Sequence, residues 1–105
     1  MIYSLLFVDD DREICTIAKS FLEKTEVFRV FTADSVKESY SLLKNNHYDA
    51  IISDFNMPEE DGISFLKEIR NTGNKIPFVI LTGMGKEEVI INALHVRQLY
   101  GLIPN

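Results

Sequence analysis

Apolar residues gather into four short runs, at residues 5–8, 28–31, 50–52 and 78–81, each too short for a helix and rich in β-branched or aromatic side chains. These runs predict four strands. Three of them are apolar without alternation, the pattern of a parallel strand covered by helices on both faces. The segments between them repeat with helical period. Ile14, Ile17, Ala18, Phe21 and Leu22 share one face of a helix over residues 11–24. Ser35, with Glu38 three residues on, has the form of a capping box and predicts a second helix through Leu42 and Leu43. Ile63, Phe65, Leu66 and Ile69 predict a third, ended near Gly73, with Pro77 opening the next strand. Val89, Ile90, Ala93 and Leu94 predict a fourth after Gly85. Strand and helix thus alternate four times, which makes the expected fold class α/β, with right-handed crossovers and a doubly wound parallel sheet. Functional loops in such a sheet collect at the carboxyl ends of the strands, where the strand order reverses.

Composition narrows the possibilities. A chain of 105 residues has room for one compact domain, and 46% apolar with 26% charged residues is the balance of a globular protein. The net charge of −5 would repel a phosphate backbone, so direct nucleic-acid binding is not expected. Cys15 is the only cysteine, which excludes an internal disulfide and a cysteine zinc cage. No apolar run approaches the roughly 20 residues of a membrane helix, and Met1–Tyr3 leads into a strand without a basic leader start. A cytoplasmic protein, complete within its fold-forming region and without a membrane partner, is the expectation.

Candidate chemistry lies at the strand ends. The first strand runs into Asp9, Asp10 and Asp11, and the third runs into Asp54, so several carboxylates should meet at one edge of the sheet. Like charges held close repel unless a cation neutralises them, and an all-oxygen cluster suits a hard divalent ion such as Mg²⁺. For Asp11 the plainer role is preferred, a cap on the first helix. The fourth strand ends in Thr82-Gly83, adding a hydroxyl at the same edge. Together these pieces offer a metal site, a nucleophile and a donor for phosphoryl oxygens.

In this order the pieces resemble the receiver domain of two-component response regulators. The matching motifs are Val8-Asp9-Asp10, then Asp54-Phe55-Asn56-Met57-Pro58 with Asp61-Gly62, then Thr82-Gly83, and the separation of Asp10 from Asp54 fits as well. The resemblance covers about residues 1–94. It implies a flavodoxin-like sheet of order 2-1-3-4-5 and a phosphorelay switch, not a turnover enzyme. Asp54 would accept a phosphoryl group from a phosphohistidine on a sensor histidine kinase or phosphotransfer protein. Asp9 and Asp10, Asp10 more directly, would hold Mg²⁺ with Asp54 and the backbone carbonyl of Asn56, neutralising charge on the transferring group. Thr82 would donate to the phosphoryl group and so sense it. Pro58 and Gly62 would supply a rigid turn and a close backbone approach. Met84 cannot orient a water by hydrogen bonding, which predicts slow loss of the phosphoryl group.

The ending departs from the family. After about residue 94 the chain reads as truncated or atypical, with no lysine beyond Lys86 and no usual fifth helix. With Pro104 aligned to the family's proline, Tyr100 takes the place of the switch aromatic and Ile103 that of the lysine linking phosphorylation to the partner-reading surface. The expected consequences are a weakened switch and an exposed sheet face, covered by a homodimer through that face or through residues 95–105. The competing class is a phosphorylation-independent interaction module. A Mg²⁺-dependent phosphatase using Asp9 and Asp11 is weaker, because it leaves the motif at residues 54–62 unexplained. With no output domain in sequence, a downstream protein partner is expected. His47 reads as the end of the second helix, His95 has no companion ligand, Met57 and Met84 read as packing, and Cys15 reads as a small filler on the inner face of the first helix.

Overall fold

The computed structural model describes residues 1–81. In chain order its elements are β1 (Tyr3–Val8), α1 (Arg12–Glu23), β2 (Phe28–Ala33), α2 (Val36–Asn45), β3 (Ala50–Asp54), α3 (Gly62–Asn71) and β4 (Phe78–Leu81). All strand pairs are parallel and the order is β2-β1-β3-β4, which matches the first four places of the expected 2-1-3-4-5. The predicted fourth helix, the fifth strand, Thr82, Tyr100 and the segment 95–105 lie outside the described residues.

The strand order explains the layers. From β1 the chain steps to β2 on one side, then crosses back past β1 to β3 and continues to β4. Crossovers of one hand must therefore place α1 on one face and α2 and α3 on the other. The core divides accordingly. Ile14, Cys15, Ala18 and Leu22 of α1 pack on Leu5, Phe7, Val30, Ala50 and Ile52, while Val36 of α2 with Phe65 and Ile69 of α3 pack on Leu6, Val8, Ala33 and Ile51. β1 and β3 are covered on both faces, as their unbroken apolar runs require. β2 lies at an edge and alternates, with Phe28 and Val30 buried and Arg29 and Phe31 exposed.

Local chemistry sets the ends. Asp11 caps α1 through Glu13 N (2.9 Å), and Ser35 caps α2 through Glu38 N (3.0 Å) while Glu38 reaches back to Asp34 N (3.2 Å). Gly73, at φ +86°, takes the left-handed turn that stops α3. The strands exceed their apolar runs, because ladder pairing carries β1 back to Tyr3 and β2 on to Ala33. His47 requires a correction. α2 ends at Asn45, so His47 lies beyond the helix, where its Nε2 meets Asp49 Oδ1 at 3.4 Å. Leu5–Val8 of β1 and all of β3 are buried, and Phe78, Val79 and Ile80 of β4 are half-buried.

Candidate functional site

β1 and β3 are neighbours, and their register pairs Val8 with Ser53. One residue further on, Asp9 and Asp54 leave adjacent strands at the same edge, on either side of the point where the strand order reverses. Crevices form at this place because the flanking connections diverge to opposite faces. Asp9 still follows the ladder, donating its N–H to Ala33 O at 3.1 Å, and Phe55 N does likewise to Leu81 O at 2.8 Å. Backbone pairing therefore continues past both carboxylates and fixes where they point.

Asp9, Asp10 and Asp54 each offer a carboxylate oxygen, and these oxygens lie within 4.8 Å of one another. Asp9 and Asp54 are buried while Asp10 is exposed. Asp9 Oδ1 accepts the N–H of Asp11 at 2.9 Å, which orients that carboxylate. Three carboxylates so arranged could hold a cation, and an all-oxygen set suits a hard divalent one.

Supporting residues hold the backbone of this edge. Cys15, buried on α1 as expected, donates its thiol hydrogen to the Asp9 carbonyl at 3.3 Å. Burial, and then the Asp9 charge, push that thiol up to about 11, so it remains protonated. Ser53 Oγ donates to Asp54 O at 3.0 Å. Gly62 comes so near that a Cβ there would sit 2.5 Å from Asp54 O, and its N–H donates to Phe55 O at 2.9 Å. The expected close approach at Gly62 is therefore present. Between them the β3–α3 loop turns through Glu60 N to Pro58 O (2.7 Å), with Glu59 at φ +71°. Asp61 then caps α3 through Ser64 N at 2.7 Å, and that hydrogen bond holds the Asp61 carboxyl below its usual value.

Of the residues singled out in the sequence, the structure thus brings Asp9, Asp10 and Asp54 together, gives Asp11 the capping role, and places exposed Asn56 in the loop two residues past Asp54. Two features have no sequence signal of their own: the Cys15 contact with the Asp9 carbonyl, and the hydrogen bond from Tyr40 of α2 to Glu68 of α3.

A doubly wound parallel sheet with acidic residues at the carboxyl ends of its first and third strands belongs to the class of α/β folds that carry their sites at the strand-order reversal. The family model described as the response regulator receiver domain matches residues 5–102, and the chain belongs to that family, whose members are phosphorylated on aspartate in two-component signalling. The match runs past Leu94, where the motif-based resemblance stopped. The response regulator SaeR of Staphylococcus aureus (strain USA300) is 39% identical over 90 residues, which are 86% of this chain and 39% of SaeR. The chain spans about two-fifths of the length of the curated relatives it matches. Among solved structures, the receiver domain of Francisella response regulator 1452 is 28% identical with a TM-score of 0.74, over 91% of this chain and 98% of that one. The Vibrio cholerae chemotaxis response regulator CheY4 has a TM-score of 0.78 at 22% identity, over 98% of this chain and 100% of that one. Among the described residues no helix is long and apolar enough to cross a membrane.

Proposed function

We propose that this chain is a Mg²⁺-dependent phospho-accepting switch in which Asp54 is the acceptor and a phosphohistidine of a sensor kinase or phosphotransfer protein is the donor. The observation that carries this reading is the convergence of Asp9, Asp10 and Asp54 at the strand-order reversal. A carboxylate oxygen of Asp54 forms the new O–P bond as the donor's P–N bond breaks and its electron pair returns to the imidazole nitrogen. Asp9, Asp10, Asp54 and the carbonyl of Asn56 would hold Mg²⁺, which would supply positive charge to offset that of the phosphoryl oxygens. The protein's own contribution is positional. β-ladder pairing fixes Asp54, the Asp11 N–H orients Asp9, and the loop after β3 presents Asn56. Thr82, which follows β4 directly in sequence, and Tyr100 take their donor and switch roles from the family motif alone. A downstream protein is the reader of the phosphorylated state.

The test is intact-protein mass spectrometry after incubation with acetyl phosphate and Mg²⁺, with Asp54→Asn and an EDTA-treated sample as controls. A gain of one phosphoryl group that needs Mg²⁺ and is lost in Asp54→Asn is the expected result. No gain in a folded protein would replace this reading with a phosphorylation-independent interaction module, the alternative favoured by the absence of lysine beyond Lys86.

A further inference from the structure

Along β2 the sheet keeps one open place. In a strand each residue turns its N–H and C=O to one side, and the next residue turns them to the other. Two contacts fix this phase. Ala33 O faces β1, where it accepts the N–H of Asp9 at 3.1 Å. Val30 faces outward, its N–H donating to Glu23 Oε2 and its O accepting from Lys19 Nζ, both at 2.9 Å. Thr32, two residues beyond Val30, therefore turns its N–H and C=O outward as well, and among the described residues neither group has a hydrogen-bond partner. Further along, the Asp34 N–H is taken again, by Glu38 Oε1 at 3.2 Å. Between Val30 and Asp34 the opening is one residue long.

Thr32 is half-buried and lines a groove of about 540 Å³ between α1 and β2. The α1 wall is a polar stripe, Arg12, Thr16, Lys19 and Glu23, whose spacing of three or four residues sets them on one side of the helix. The two ends of the groove differ. Lys19 and Glu23 pair with each other at 3.5 Å and close the edge at Val30. At the other end Asp34 and Glu38 stand against Arg12 alone. The Arg12–Asp34 pair, at 3.3 Å, is solvent-exposed, and Glu38 makes no ion pair among the described residues. That end is therefore short of positive charge.

An open N–H and C=O on one edge residue are complemented by the backbone of an extended chain, because in an antiparallel pair a single partner residue exchanges both bonds. A helix cannot do this, since its own backbone groups are bonded to each other. Alternate side chains of a strand share a face, so the partner residue two positions before the paired one would lie opposite Asp34. We propose that the α1–β2 groove docks an extended segment of a partner protein, which adds one antiparallel pairing at Thr32 and sets a basic side chain against Asp34 and Glu38. Lys19 and Glu23 fix the register by blocking the next pairing position. Asp54 and its neighbours take no part, so this inference stands apart from the proposed function.

The test is a two-dimensional NMR titration with a capped pentapeptide of one lysine followed by four threonines. It is taken to about 10 mM, because so short a contact supports a dissociation constant of only about 1 mM. The Thr32 amide should shift downfield as it gains an acceptor, with the amides of Thr16 and Asp34 moving in step. The same peptide with glutamate in place of lysine should bind about fivefold more weakly, the upper value for an exposed ion pair. Thr32→Pro removes an N–H that points away from β1, which an edge strand tolerates, and should weaken binding about tenfold, the upper value for one hydrogen bond. Thr32→Val keeps the backbone and should bind like wild type. Asp34→Asn, which leaves the strand backbone untouched, should bring the two peptides closer in affinity and decides the matter where Thr32→Pro does not fold. No shift at Thr32, undiminished binding by a folded Thr32→Pro, or equal affinity for the two peptides would each overturn the proposal. A Thr32 shift produced by concentrating the protein without peptide would give this edge to a second copy of the chain and overturn it as well.

Discussion

Gly62 shows how a single missing carbon permits the acidic edge to form. Its backbone lies where a Cβ would meet Asp54 O at 2.5 Å, and the obstructing atom belongs to the main chain, which cannot swing away like a side chain. Gly62→Ala must therefore displace the end of β3 or the first turn of α3. The expected cost is about 1–3 kcal/mol, the range for overpacked sites, together with reduced phosphoryl uptake; urea unfolding and mass spectrometry measure the two. Cys15 gives a second prediction. Folding raises its thiol from 9.0 to about 11, so the thiol form is favoured, and the stability it contributes is complete below pH 9 and lost as pH climbs through about 11. At about pH 8, below its ordinary thiol range, an aromatic disulfide reagent should label the native protein far more slowly than the urea-unfolded chain; equal rates would show that the thiol is accessible. The individual acidic residues were legible in the sequence because their chemistry is local to strand ends. The Tyr40–Glu68 hydrogen bond was not legible, since it depends on how α2 and α3 are rotated on the sheet.

The elements were legible for a different reason, since hydrophobic period reports which faces are covered. The one alternating run, at Phe28–Ala33, lies at one end of the described sheet, whereas the uniform runs of β1 and β3 are central in it. Strand limits were less legible, because Tyr3 and Ala33 are strand residues through their partners and not through their own side chains. An edge strand leaves backbone groups turned outward, and α1 covers the middle of this edge. Val30 N–H donates to Glu23 Oε2 and Val30 O accepts from Lys19 Nζ, both at 2.9 Å, while Lys19 and Glu23 lie 3.5 Å apart. Two side chains one helical turn apart thus occupy the positions a further strand would need. Replacing both, Lys19→Ala with Glu23→Ala, should cost about 1–3 kcal/mol for two lost hydrogen bonds and raise concentration-dependent self-association in light scattering. Unchanged association would mean that the edge is protected by other means.

At the scale of the whole molecule, three carboxylates converge at one edge of the sheet, and like charges held so close repel. Asp10→Asn removes one of three converging charges, and in metal-free buffer this should stabilise the protein by about 1 kcal/mol, the Coulomb energy of two charges about 4 Å apart in watery surroundings. Under the proposed function, the same change should reduce the stabilisation that Mg²⁺ would give to wild type, which thermal unfolding with and without the ion would measure. A variant less stable than wild type under both conditions would show that Asp10 has a structural role outweighing its repulsion. The strand order carries a further consequence. Asp9 and Asp10 belong to the first β-α-β passage of the chain and Asp54 to the second, and the link between the passages runs through the exposed stretch at Asn45–His47, at the opposite end of the sheet from the acidic residues. A chain cut at that link would separate into two pieces, neither holding a complete ligand set. Their reunion would rebuild both the β1–β3 seam and the cation site in one event, so the ion would act as a glue between halves, and the stability of the reassembled pair would report its concentration.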